Sequence, residues 1–181
     1  MRRSIILFAA GILLAGCGGA ERTAAPSSPA PAAGTAWMDG FCGSLIDFAK
    51  IGDFTMPDFE QNDVASARKV MDDAFGVFAP GFDNAVTGLG KLGQAPSAEA
   101  DAARKSIVDA LTPIRDEVLA AKAALDAAPR DDKNAVVAAG AAFRRIGSHM
   151  NDMPDPFQQL ETNVSLKTLA AQAPNCGKLP S

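Results

Sequence analysis

Along most of this chain the apolar residues return every three or four positions. Trp37, Phe41, Leu45 and Phe48 form one such stripe and predict an amphipathic helix over 36–50, ended by Ile51-Gly52. A loop from Asp53 to Asn62, containing Pro57, follows. Asp63 then has the chemistry of an N-cap for a second helix bearing Val64, Ala67, Val70, Met71, Ala74, Phe75 and Phe78. Pro80 is expected to interrupt that helix, because proline removes a helical donor and crowds the preceding turn. A further turn-rich helix would carry Phe82, Val86, Leu89 and Leu92 until Gly93 and Pro96 stop it.

Ser97 is the expected cap of the longest helix, whose stripe includes Ala103, Ile107, Leu111, Ile114, Val118 and Leu125. That stripe covers about eight turns at 3.6 residues per turn. Pro113 should bend this helix without ending it, since the stripe keeps its register on both sides. Ala128 to Asp131 reads as a short helix–helix turn, and a fourth long helix runs from Asp132 to about Met150. The expected last helix starts at Asp155-Pro156, carries Phe157, Leu160, Val164 and Leu169, and closes before Pro174. No segment alternates β-branched and polar residues, so no sheet is expected. Short loops between long helices favour antiparallel neighbours. The reading is an all-α antiparallel bundle of four to six helices.

The N-terminal pattern differs. An unbroken apolar run from Ile5 to Leu14 follows Arg2 and Arg3 and ends in small residues. It is about half the roughly 20 residues that a membrane-spanning helix needs. A charged start, a short apolar run and small residues before a cleavage point have the form of a secretory signal, here residues 1–16. Residues 17–34 are rich in Ala, Pro, Ser, Thr and Gly, with prolines at 26, 29 and 31 arguing against a helix. They read as a solvated tether, leaving residues 35–181 as a single helical domain.

The signal closes on Leu14-Ala15-Gly16-Cys17. This string resembles the bacterial lipobox. The resemblance implies that the Cys17 thiol carries diacylglycerol, that cleavage falls before it, and that Cys17 becomes the lipidated N-terminus. Two acyl chains anchor a protein stably where one does not. The implied location is the bacterial cell membrane, lipid-anchored on its extracytoplasmic face. Taken with the tether, the alanine-rich helices and two late-acting cysteines, the chain is similar to small surface lipoproteins of high-GC actinobacteria. That group brings no catalytic or binding residues to carry over, and its one transferable residue is Cys17.

With Cys17 acylated, Cys42 and Cys176 remain as an even pair. In an exported protein a disulfide between them is the default, stapling the first helix to the last residues. The alternative is two separate buried thiols. Loss of Arg2 and Arg3 with the signal leaves 15 basic and 21 acidic residues, a net charge of −6 against −4 for the full chain. That balance argues against nucleic acid or an anionic membrane surface as partner, since both call for a basic patch.

Gly88-Leu89-Gly90-Lys91-Leu92-Gly93 matches the GxGxxG string, but it trails a helix where the dinucleotide fingerprint must follow a strand and open one. A helix end is the better account. Catalysis lacks staff: one histidine, His149, and no tyrosine. Ser148 beside His149 cannot make a triad, because adjacent side chains on a helix diverge. The carboxylate pairs Asp72-Asp73, Asp116-Glu117 and Asp131-Asp132 are expected to be solvated, and His149 to have no carboxylate arranged about it. The acidic stretch from Asp53 to Asp63 lacks the central glycine and final glutamate of an EF-hand loop.

No enzyme activity and no cofactor are therefore expected. The expected function is a non-enzymatic binding or scaffolding module, held to the membrane by its lipid and facing another envelope protein. One alternative is a carrier of a small apolar ligand in the bundle interior, lined by Phe41, Phe75, Phe78, Phe82, Phe143 and Phe157. Another is a Cu(I) site from His149, Met150 and Met153, whose nitrogen and sulfur atoms suit a soft metal.

Overall fold

Helix α1 (Pro31–Gly52) opens on a proline at its first position, where the missing N–H would have had no helical partner. In this computed structural model, residues 31–57, 63–153 and 162–180 are described, and all their regular structure is helical. The signal segment, Cys17 and most of the tether lie outside them. Residues 31–34, read from sequence as tether, instead form the first turn of α1. Pro31 starts the helix it was expected to forbid, and at buried Gly34 an added Cβ would stand 3.2 Å from the Leu169 side chain.

Helix α2 (Val64–Lys91) is capped by the Asp63 carboxylate, which accepts from the Ala65 and Ser66 amides. It continues through Pro80, so the two helices expected on either side of that proline are one. Proline there gives up the helical bond to the carbonyl four residues before it, that of Gly76. Burial of Phe75, Ala79, Phe82, Val86 and Leu89 on one face holds both halves in register. Helix α3 (Ala98–Ala127) likewise runs through Pro113, as its unbroken stripe predicted, and is capped by Ser97.

A turn of five residues leads to α4 (Lys133–Asp152), capped by Asp132. The last regular helix, α5 (Val164–Gln172), begins at Asn163, whose extended backbone and capping side chain separate it from what precedes. The single helix expected from Asp155 is therefore divided, and Phe157 and Leu160 lie outside the described residues. A 3₁₀ turn, Cys176–Lys178, follows.

Cross-helix contacts fix the topology. Gly40 meets Leu92, Ser44 meets Gly88, and Asp47 meets Gly81, so α1 and α2 run antiparallel at close range. Arg104 on α3 reaches the Leu89 carbonyl while Arg68 on α2 reaches Leu125, which makes α2 and α3 antiparallel too. α5 and the tail lie along α1 in the same direction: Gln172 pairs with Thr35, Asn175 with Asp39, and Cys176 with Cys42. The core is shared by Phe41 and Leu45 of α1, Phe75 and Phe82 of α2, Leu111 of α3 and Ile146 of α4, all fully buried. Each such side chain contributes about 1.5–3 kcal/mol on leaving water.

The expected staple is present. Cys42 and Cys176 are disulfide-bonded with Cα atoms 4.9 Å apart across 134 residues of sequence. The protein is an all-helical bundle fastened by one disulfide.

Candidate functional site

The glycine-rich string offers carbonyls where a phosphate site needs amides. Leu89 O accepts from Arg104 Nη1 at 3.3 Å, and Gly93 O accepts from Trp37 Nε1 at 3.2 Å. Gly88 answers to packing: a Cβ there would stand 2.5 Å from Ser44 Oγ. The string is the C-terminal end of α2 and a helix-crossing point.

His149 does have a carboxylate beside it, contrary to the sequence expectation. Its Nδ1 lies 3.6 Å from Glu117 Oε2 on α3, and Arg145 Nε donates to Glu117 Oε1 at 2.7 Å. Arg145 and His149 are one turn apart on α4, so a single glutamate joins α3 to α4 through both. This arrangement was illegible in sequence because Glu117 looked like half of a solvated acidic pair. The imidazole is 54% exposed and no nucleophile joins the group.

Met150 points away from it. That side chain packs with Phe48, Ile51 and Leu179 around an apolar depression of about 250 Å³ near the end of α1. His149 faces Glu117, while Met150 and Met153 pack against the hydrophobic core, so the three side chains proposed for a soft metal have different neighbours. Among the described residues no three His, Cys, Asp or Glu side chains are grouped to hold a metal ion.

Four members of the other carboxylate pairs have partners of their own. Asp72 faces Arg68, Asp73 pairs with Lys69, Asp116 accepts from Arg115, and Asp132 caps α4. The phenylalanines proposed to line a carrier cavity touch one another. Phe75 and Phe143 have ring centroids 4.6 Å apart, Phe78 and Phe143 5.0 Å, and Phe78 and Phe82 6.3 Å. They fill that part of the interior; Phe157 lies outside the described residues.

Two further depressions flank the N-terminal half of α2. One, of about 400 Å³, lies at the α3–α4 turn among Arg68, Asp72, Lys122, Asp126 and Arg130. Its charges are largely spent on each other, with Lys122 Nζ 2.6 Å from Asp126. The other, of about 220 Å³, lies between α2 and α4 and is walled by Val64, Ala67, Met71, Val136, Val137 and Gly140. Sequence periodicity could not find it, because it comes from a glycine and from valines on the outer side of their stripes.

Compared with known proteins, the chain matches no family model, no curated protein and no solved structure.

Proposed function

We propose that this chain is a lipoprotein anchored through Cys17 to a bacterial membrane, its helical domain a non-enzymatic binding or scaffolding module on the extracytoplasmic side. The observation that carries the reading is the Cys42–Cys176 bond. Such bonds persist in oxidising compartments and are rare in the cytosol. An exported chain whose signal-like segment ends on Leu14-Ala15-Gly16-Cys17 accounts for all three cysteines, one lipidated and two bonded. The non-enzymatic part is supported by the occupation of the polar groups described above, which act as caps, cross-helix ties and ion pairs.

Anchoring is tested by metabolic labelling with a clickable fatty acid in an actinobacterial host. The wild-type chain should label and partition into detergent, and Cys17→Ser should do neither. Equal membrane retention and labelling of the serine variant would overturn the reading. The binding role is tested by crosslinking on intact cells followed by mass spectrometry. A partner recovered equally by a variant with a scrambled domain would overturn it.

A further inference from the structure

Most basic side chains of this bundle have an acid of their own. Lys50 is taken by Asp47, Lys69 by Asp73, Lys105 by Asp101 and Arg145 by Glu117. Lys133 and Arg144 have none, nor do Lys91, Arg130 and Lys167 among the described residues, but only the first two share a groove with apolar walls. Both line the groove between α2 and α4, and neither has an ion-pair or hydrogen-bonding side-chain partner among the described residues. Two acids that cap the flanking helices are engaged by backbone: Asp63 accepts from amides of α2, and Asp132 from amides of α4.

Between these two cations the groove is apolar. Val64, Ala67 and Met71 form one wall, with Val136 and Val137 opposite, and Val137 is 60% exposed for want of a neighbour. Gly140 makes the floor, where an added Cβ would meet nothing closer than Arg144 Nη1 at 4.0 Å. A helix interior is a costly place for glycine, by roughly 0.5–1 kcal/mol relative to alanine. Here it keeps the floor open, with the Arg144 guanidinium lying over it.

We infer that this groove binds an acidic apolar peptide segment of a partner protein, its apolar residues on the Val–Met walls and a carboxylate at each end. Lys133 and Arg144 stand about three turns apart on α4, ~16 Å between their backbones at 1.5 Å per residue, with the Arg144 guanidinium folded back towards Gly140. One carboxylate cannot serve both, so an occupant with two separated acids is favoured over a single anionic head group. An extended peptide of six residues spans the same length at about 3.3 Å per residue. Arg144 can hold its carboxylate by two parallel hydrogen bonds, and Lys133 supplies a point charge. The inference deepens the reading of the domain as a binding module and rests on it, but not on acylation, which the labelling experiment reads separately.

The test uses the full chain in nonionic detergent and a blocked hexapeptide with glutamate at both ends and Leu-Val-Val-Leu between, titrated by fluorescence anisotropy. Saturable binding is expected, weakened about tenfold or more for each bidentate or paired charge removed, by Arg144→Gln or by replacing a glutamate with glutamine. Gly140→Leu, which fills the floor while favouring the helix, should abolish binding with circular dichroism unchanged. Lys167→Gln, on α5, should change nothing. Equal affinity for the all-glutamine peptide, undiminished binding to Gly140→Leu, or no saturation at millimolar peptide would overturn the inference. So would sedimentation with anionic vesicles, or self-association of the chain, lost in Gly140→Leu while the peptide fails to bind.

Discussion

Asn175 donates its backbone N–H to Asp39 Oδ1 at 2.7 Å and its side-chain amide to Asp39 Oδ2 at 3.0 Å, one residue before the cysteine bonded to Cys42. A non-covalent latch thus sits beside the covalent staple, and Gly43 leaves the room for it: a Cβ there would stand 2.9 Å from the Asn175 amide. Two different constraints hold the C-terminal strap on α1.

They should separate by experiment. Replacing both cysteines, Cys42→Ser with Cys176→Ser, should lower stability by several kcal/mol, with about 5 kcal/mol as the chain-entropy ceiling for so long a loop. The helices should remain, because Asp39 still holds the strap. Adding Asp39→Ala, which removes the acceptor of both bonds, should cost about 1.5–3 kcal/mol more, the usual worth of hydrogen bonds to a charged group. It should also expose the Cys176–Lys178 amides to rapid hydrogen exchange. Fast exchange of those amides in the cysteine variant alone would show that the latch holds nothing.

The α1–α2 crossing makes a second expectation. Gly88→Ala places a methyl 2.5 Å from Ser44 Oγ and 2.8 Å from Ser44 Cβ, so it should destabilise by about 1–3 kcal/mol by overpacking. Gly90→Ala, two residues on in the same helix, meets nothing within 4 Å and should stabilise by about 0.5–1 kcal/mol. Combining Gly88→Ala with Ser44→Gly should cost less than the sum of the two single changes, which urea denaturation of all four proteins would read as a coupling. Additivity would mean that the two residues do not share the space.

Those two glycines show what sequence could and could not reveal. The stripes on α1 and α3 gave the helices, because burial of Phe41 or Leu111 imposes a period that any reader can see. Caps at Asp63 and Ser97 were equally plain. Pro80 misled because its tolerance depends on packing of Phe75 and Phe82 against other helices, a tertiary effect that local propensity does not contain. Pro31 misled for the opposite reason, being at a helix start where proline loses nothing. Glu117 with Arg145 and His149, and the groove floored by Gly140, needed the α3–α4 and α2–α4 alignments, which no spacing within one helix encodes.

Acid should weaken the α1–α2 contact. Asp47 accepts from Lys50 Nζ on its own helix and from Asn84 Nδ2 on α2 at 2.8 Å. The hydrogen bond from Lys50, then that from Asn84, hold its carboxyl below its ordinary value. A carboxylate depressed on folding adds stability above the unfolded value of about 3.9, and that stability is lost as pH falls through the folded value. The side chain is 41% exposed, so the effect should be small. Asp47→Asn should therefore destabilise slightly at pH 7 and hardly at all at pH 2. An equal loss at both values would point to packing instead of charge.

Arg68 offers the largest single effect. It is only 7% exposed, yet it makes no intimate ion pair: Asp72 Oδ2 is 3.8 Å from its Nε, which lacks a hydrogen-bond partner. Its Nη atoms instead donate to Leu125 O and, at 2.7 Å, to Pro129 O. Those are carbonyls at the end of α3 and in the turn to α4, each of which also accepts a backbone N–H, from Ala128 and Asp132 respectively. A cation there also faces the negative end of the α3 dipole. Arg68→Ala should therefore cost about 3 kcal/mol, since two hydrogen bonds from a charged donor are lost. Arg68→Lys should recover only part, because an ammonium cannot span both carbonyls with the fixed fork of a guanidinium. Asp72→Asn should cost little, its partner being distant and its own side chain partly solvated. Thermal denaturation of the three variants decides between cap and ion pair: a loss from Asp72→Asn as large as that from Arg68→Ala would make the pair, not the cap, the reason an arginine is buried there.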